Sequence, residues 1–95
     1  MAEARAELNV DDDRIRVNTW TFTGPGAAIG RHTHEFDYIV VPVTGGAFKV
    51  TDADGTVHTM EQVAGTPYQG TKGTDHDVES ASDGEVRFVE IELKR

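Results

Sequence analysis

The chain has 95 residues, of which 37% are hydrophobic, and its 17 acidic and 9 basic side chains give a formal net charge of −8. A chain of this length forms one small domain, and such domains often gain stability from a metal ion or a second copy. The negative charge disfavours nucleic acids and anionic membranes as partners, because both present phosphate groups. There is no cysteine, which excludes disulfides, thiolate catalysis and sulfur-ligated metals.

The cellular location is predicted from three absences. No apolar run approaches the roughly 18 residues that cross a bilayer. Residues 1–9 lack the apolar stretch of a secretion signal. Together with the absence of cysteine, these features predict a soluble, cytoplasmic protein. Within the same N-terminal stretch, residues 1–8 (MAEARAEL) are the one candidate for a turn of helix.

Strand patterns dominate the rest of the chain. Residues 14–23 (RIRVNTWTFT) alternate in polarity and are rich in β-branched and aromatic side chains, as strands are. Five later segments share this character, namely residues 36–43, 46–52, 56–63, 76–82 and 85–93. Glycine-rich turns separate them, and residues 52–55 (DADG) give a strong hairpin signal. Many short strands at this spacing predict an all-β sandwich or barrel.

One predicted strand is apolar on both faces. Residues 39–43 (IVVPV) do not alternate, whereas a strand with one face in solvent does. The outer face of this strand is therefore expected to pack against something. Two alternatives fit the sequence: the second subunit of a homodimer, or an N-terminal segment of the same chain.

The segment GRHTHEFDY (residues 30–38) contains two of the four histidines, His32 and His34. Side chains at positions i and i+2 of a strand project from the same face, so these two imidazoles can share a metal ion. Tyr38 has the same parity. A third ligand must come from elsewhere, and His76 begins a later predicted strand. The alternative is that His32 and His34 are surface histidines where a strand meets a loop.

The wider pattern resembles the two motifs of the cupin superfamily. The first motif runs Gly, five residues, His-x-His, three or four residues, Glu, six residues, Gly, and residues 26–45 keep this spacing with Tyr38 in place of the glutamate. The second runs Gly, five residues, Pro-x-Gly, two residues, His, three residues, Asn. Residues 65–80 keep that spacing, with Thr71 in place of proline and Ser80 in place of asparagine. Seven of the ten motif positions match, without insertions.

The resemblance implies one cupin domain over residues 1–95, folded as a double-stranded β-helix, the cupin jelly-roll barrel. His32, His34 and His76 occupy the family's metal-ligand positions, which implies one divalent ion: Fe, Ni, Zn, Mn or Cu. A barrel that has lost its metal is the alternative. The family's habit also supports the homodimer. Residues 32–46 (HTHEFDYIVVPVTGG) look like a subset of small cupins, some of which are named for an association with β-alanine breakdown.

The function implied by the resemblance depends on Tyr38. Three neutral imidazoles leave the full charge on a divalent ion, and some cupin dioxygenases hold Fe(II) in this way. We therefore expect a metal site that acts on a small anionic metabolite, with an Fe(II) dioxygenase as first choice. Tyr38 is the predicted catalytic residue, as ligand, hydrogen-bond donor, acid or base; its alternative is simple packing. The alternative functions are a non-catalytic metal- or ligand-binding module and a metal-dependent isomerase or lyase.

Other polar residues near the motifs have assigned roles. Gln69 and Ser80 are predicted to orient the metal-binding imidazoles by hydrogen bonds. Strand parity turns Glu35 and Asp37 away from the histidines, unless a bulge intervenes. His58 is expected at the surface.

Overall fold

The computed structural model describes residues 3–94, and all its regular elements within that range are β-strands. In chain order they are β1 (Arg5–Asp11), β2 (Ile15–Phe22), β3 (His32–Thr33), β4 (Asp37–Pro42), β5 (Gly46–Asp52), β6 (Val57–Gln62), β7 (Tyr68–Gly70), β8 (Asp75–Ser80) and β9 (Val86–Leu93). The all-β prediction is therefore confirmed, and the six predicted strands correspond to β2, β4, β5, β6, β8 and β9. Nothing in the described part forms a helix able to cross a membrane.

The strands form two sheets in which every pairing is antiparallel. One sheet has the order β1-β2-β9-β4-β7 and the other the order β3-β8-β5-β6. Chain neighbours such as β4 and β5 therefore lie in different sheets, while β9 returns to lie between β2 and β4. Two antiparallel sheets joined by such crossing connections are the arrangement of a jelly roll.

The core follows from the alternation of side chains along each strand. Phe22 and Phe48 are fully buried, with ring centroids 5.1 Å apart, and Phe88 lies 5.5 Å from Phe22. Phe88 belongs to the inward face of β9, where it is followed at the next two inward positions by Glu90 and Glu92. The barrel interior is therefore apolar at the phenylalanines and becomes polar further along β9.

The prediction of a helical turn in residues 1–8 is wrong for the described part of that segment. Arg5–Asp11 is strand β1, which pairs with β2 and has an irregularity between Leu8 and Val10. Pairing with the free edge of β2 satisfies the backbone groups of this segment, and such tertiary pairing overrides weak helix propensity. Residues 1 and 2 lie outside the described residues.

The outer face of the five-stranded sheet carries an apolar surface. Ile39 and Val41 of β4 lie in register with Ile91 and Val89 of β9, and all four are half-buried. Val17 of β2 continues the row beside Ile91. Because β1 extends the same sheet edge to edge, it does not cover this surface. The described residues therefore do not show the intramolecular cover that was one alternative for residues 39–43.

Candidate metal centre

The structure brings His32, His34 and His76 to one point inside the barrel. Strands β3 and β8 pair so that His32 lies opposite His76. His34 follows β3, and its N–H donates to the Thr74 carbonyl (2.8 Å) while its own carbonyl accepts from the Gly73 N–H (2.9 Å). One ligating nitrogen of each of the three imidazoles lies within 4.8 Å of the others.

Two of the three Nε2–Nε2 separations in the cluster fit a metal ion. His34 Nε2 is 3.1 Å from His32 Nε2 and 3.2 Å from His76 Nε2. Metal–nitrogen bonds of about 2.1 Å put neighbouring ligand nitrogens about 3.0 Å apart at a right angle and about 3.4 Å apart at the tetrahedral angle. The observed distances lie between these limits. Three imidazoles are also a donor set that suits borderline divalent metals.

The tautomer of His32 is fixed by a backbone group. Its Nδ1 lies 2.8 Å from the Gly30 carbonyl oxygen. A carbonyl only accepts hydrogen bonds, so Nδ1 carries the proton and Nε2 keeps its lone pair towards the other two histidines. Gly30 has a φ of 93°, a conformation that residues with a side chain rarely adopt.

Burial keeps two of the imidazoles neutral. The pKa of His34 is lowered to about 4, first by burial and then by the neighbouring His32 and His76. The pKa of His76 is also lowered, chiefly by burial and then by His32. Neutral imidazole is the form that binds metals, so at neutral pH no proton must be removed from either ring before an ion binds.

Tyr38 supports the ring of His34. The two rings stack with centroids 3.8 Å apart and an interplanar angle of 18°. On its other side Tyr38 faces Gly70, its partner across β4 and β7. A Cβ atom at Gly70 would overlap three atoms of the Tyr38 ring. The tyrosine ring is thus held between an imidazole and bare backbone.

The Tyr38 hydroxyl holds its proton at neutral pH in the absence of a bound cation. Tyr38 is buried, and its pKa is raised to about 12 by burial first and then by Glu90 and Tyr68, against a hydrogen bond with Thr74. The alternative that Tyr38 simply packs therefore accounts for much of the contact its ring makes with His34 and Gly70. A direct role of its hydroxyl in chemistry stays a prediction.

Glu35 and Asp37 do not join the histidines. The Asp37 carboxylate accepts a hydrogen bond from the Lys72 N–H (2.8 Å). The Glu35 side chain is 75% exposed and lies 3.8 Å from Arg16. Both positions agree with the strand-parity prediction.

A cavity of about 260 Å³, here called the histidine cavity, opens beside the three imidazoles. Its polar lining consists of four histidines, two tyrosines, two carboxylates, an amide and a threonine hydroxyl. These belong to His32, His34, His58, His76, Tyr38, Tyr68, Asp52, Glu90, Gln69 and Thr74. Apolar lining comes mainly from Ile29, Val40, Val50, Met60, Val78 and Phe88. The lining within residues 3–94 contains no lysine or arginine.

The remaining predicted site residues lie at different depths. Gln69 lines the histidine cavity, whereas the Ser80 hydroxyl is buried and accepts from the Ser82 N–H (3.3 Å). Among the described residues, neither makes a hydrogen bond to an imidazole of the cluster. His58 is half exposed, as expected, but it also lines the cavity, with its Nδ1 3.4 Å from the Asp52 carboxylate.

Glu90 is the residue that the sequence interpretation missed. It is only 7% exposed, and its pKa is raised to about 7, first by burial and then by the nearby Glu92. A signal was present in the segment VRFVEIEL, because alternation puts residues 90 and 92 on the same face as Val86 and Phe88.

Comparison with known proteins agrees with this architecture. The chain is 41% identical over 92 residues to the β-alanine degradation protein BauB of Pseudomonas aeruginosa, covering 97% of this chain and 95% of that protein. A crystal structure of a cupin domain from Bordetella pertussis is 36% identical and superposes with a TM-score of 0.93 over 99% of this chain and 96% of that one. The chain belongs to the cupin superfamily. This confirms the resemblance seen in the two motifs.

More distant cupins share the fold. An RmlC-like cupin with a double-stranded β-helix fold from Methanocaldococcus jannaschii is 12% identical, with a TM-score of 0.77 over 98% of this chain and 82% of that one. The predicted double-stranded β-helix is thereby confirmed. No family model matches the chain. At the glutamate position of the first cupin motif this chain has Tyr38, whose ring is held by Gly70.

The contact between Tyr38 and Gly70 is testable by a double-mutant cycle. We expect Gly70→Ala to destabilise the cupin by about 1–3 kcal/mol, because the new methyl group overlaps the Tyr38 ring and must displace it from its stacking contact with His34. Tyr38→Ala in the same background should recover part of this loss. Urea unfolding of the two single variants and the double variant measures the coupling. Additive effects of the two substitutions would contradict a direct contact between Tyr38 and Gly70.

Proposed function

We propose that this cupin binds one divalent metal ion through His32, His34 and His76 and converts a small metabolite there, with Fe(II)-dependent oxygenation as the first-choice reaction. The observation that carries the proposal is the convergence of three imidazoles, two of whose Nε2 separations are 3.1 and 3.2 Å, in a cluster that includes no carboxylate from residues 3–94. Such a set covers one side of an ion and leaves the cavity side open to a ligand.

An ion held by three neutral imidazoles supplies undiminished positive charge for polarising an anionic ligand and, if it is iron, access to oxygen chemistry. The protein's own residues do the rest. The Gly30 carbonyl holds the His32 ring, and the Tyr38 ring holds His34. The protonated Tyr38 hydroxyl is available as a hydrogen-bond donor to a molecule in the cavity, which is the catalytic role we assign to it.

The size of the histidine cavity limits the ligand. A volume of about 260 Å³ lies just below the range of about 300–1,000 Å³ that is typical of small-molecule sites. A metabolite of a few carbon atoms therefore fits, and an anionic group on it would bind the metal. BauB is named for the degradation of β-alanine, which supports a small metabolite as the substrate.

Metal binding is the first test. Anaerobic titration calorimetry with Fe(II), and aerobic titration with Zn(II), should give one ion per chain. His32→Ala, His34→Ala and His76→Ala should each weaken binding by at least about 100-fold, since even a lost supporting group costs about 10–100-fold. His58→Ala is the matched control and should bind as the parent does. Equal loss in all four variants, or none in any, would contradict the assigned ligands.

Turnover is the second test. The Fe(II)-loaded protein should consume O₂ in the presence of a small thiol, diketone or keto acid, and Tyr38→Phe should slow this reaction while binding the same amount of iron. Retained metal with no O₂ uptake, and with no substrate-dependent change at Mn, Ni or Zn, would rule against the enzyme. The result would then favour the non-catalytic binding module.

We also propose that the protein acts as a homodimer through the outer face of its five-stranded sheet. Two other expectations stay predictions: that one cupin domain extends over residues 1–95, and that the protein is cytoplasmic. The half-buried row formed by Ile39, Val41, Val89 and Ile91 supports this surface. Apolar surfaces that a sheet leaves partly exposed are typical of association sites.

Light scattering should therefore give twice the chain mass of 10.4 kDa at micromolar concentration. Ile39→Glu should shift the protein towards the monomer, because a carboxylate is costly to bury in an apolar interface. Lys49→Glu, on an exposed position of β5 in the other sheet, should leave the mass unchanged. A parent protein that is monomeric under these conditions would refute the dimer.

A further inference from the structure

Three carboxylates lie in or beside the histidine cavity, and two of them have a basic partner. Asp52 has its carboxylate 3.4 Å from His58. Glu92 accepts two hydrogen bonds from Arg16, of 3.1 and 2.6 Å. Among residues 3–94, Glu90 forms no ion pair with any basic side chain. Among the described residues it is therefore the one carboxylate of the three with no basic side chain within ion-pair distance.

Glu90 is also well shielded from water. Only 7% of the residue is exposed, and it lines the histidine cavity from the inner face of β9. Its Cα lies in register with Val40 on one side and Asn18 on the other. The indole N–H of Trp20 is close enough to lower the pKa of the Glu90 carboxyl, as is the charge of Arg16, but within the described residues this N–H does not reach full hydrogen-bond geometry. A buried carboxylate in such surroundings is costly unless a donor or a cation meets it.

We propose that Glu90 binds a positively charged nitrogen of the small metabolite, so that the cavity selects molecules with an anionic group at one end and an ammonium group at the other. This inference rests on the proposed function, because the anionic end is assigned to the metal held by the three histidines. The ligand class is then a short zwitterionic amino acid, or a close analogue with another anionic donor.

The charges along the cavity favour this ligand class. From the described part of the chain the wall contributes Asp52 and Glu90 and no lysine or arginine, so a dianion would meet only one cationic centre among these groups, the metal. Asp52 is already paired with His58. An ammonium group placed at Glu90 supplies three N–H donors to a carboxylate whose nearby donor among residues 3–94, the Trp20 N–H, does not reach full hydrogen-bond geometry. Hydrogen bonds between two charged groups are stronger than neutral ones, and burial strengthens them further.

A role of Glu90 as a fourth metal ligand is the main competing explanation. The cluster of side chains whose ligating atoms lie within 4.8 Å of one another contains the three histidines and not Glu90. The pKa of Glu90 is raised to about 7, first because burial leaves its ionised form poorly solvated and then because of the neighbouring Glu92. Metal affinity and ligand preference separate the two explanations.

The experiment uses the Co(II)-loaded protein and two matched pairs of probes, propionate with 3-aminopropionate and butyrate with 4-aminobutyrate. Binding is followed by the visible spectrum of Co(II) and by calorimetry. We expect at least one amino acid to bind about tenfold or more tightly than its matched monocarboxylate. In Glu90→Gln this preference should fall to near unity, with Co(II) affinity and monocarboxylate affinity changed by less than about threefold.

Asp52→Asn is the matched control, because it removes the other carboxylate of the cavity wall. Since Asp52 already faces His58, this variant should keep the preference for the amino acids. Equal binding of both members of each pair to the parent protein would overturn the inference, as would a preference that survives in Glu90→Gln. A large loss of Co(II) affinity in Glu90→Gln would assign Glu90 to the metal instead and also overturn it.

The two proposals fail in different ways. A parent protein that takes up no metal through the histidines overturns the proposed function and, with it, this inference. A parent protein that binds Co(II) and monocarboxylates, but shows no preference for the zwitterions, overturns this inference alone and leaves the metal site intact.

Discussion

The short antiparallel pairing of β3 with β8 is the constraint on which the candidate site depends. It contains only two residue pairs, yet it sets His32 opposite His76. Backbone hydrogen bonds to Thr74 and from Gly73 then hold His34 just beyond the end of β3. Because these bonds join main-chain atoms, they fix the backbone positions of the three histidines without any contribution from an ion. The backbone of the site is therefore ordered without a ligand, which lowers the free-energy cost of ordering the site on binding.

Alternation and spacing were sufficient to predict the strands and to put His32 and His34 on the same face. Residues i and i+2 of a strand share a face. The sequence was therefore enough to place His32 and His34 on one face, and to predict that Glu35 and Asp37 face away from them. His76 was different: its distance of 42 residues from His34 carries no geometric information, and the cupin resemblance was needed to bring it to the site. Short elements such as β3 and β7 gave no periodic signal because they have too few residues.

Contacts that depend on backbone groups and on neighbouring strands could not be predicted from residue types. The carbonyl that orients His32 belongs to Gly30. A pattern of side chains does not indicate which backbone carbonyl will face a given histidine. Tyr38 was placed correctly on the inward face, but its contact with Gly70 depends on the register of β4 and β7. Glu90 had a visible signal in its alternation, yet an acidic residue in a strand usually faces water.

The central claim is that three imidazoles, and no protein carboxylate, hold one metal ion in this cupin. X-ray absorption spectroscopy of the Zn(II)-loaded protein tests it most directly. The account predicts three imidazole nitrogens at about 2.0–2.1 Å, with oxygen from solvent or a small ligand completing the coordination. A spectrum that requires fewer than three imidazoles, or that loses an oxygen ligand in Glu90→Gln, would contradict it.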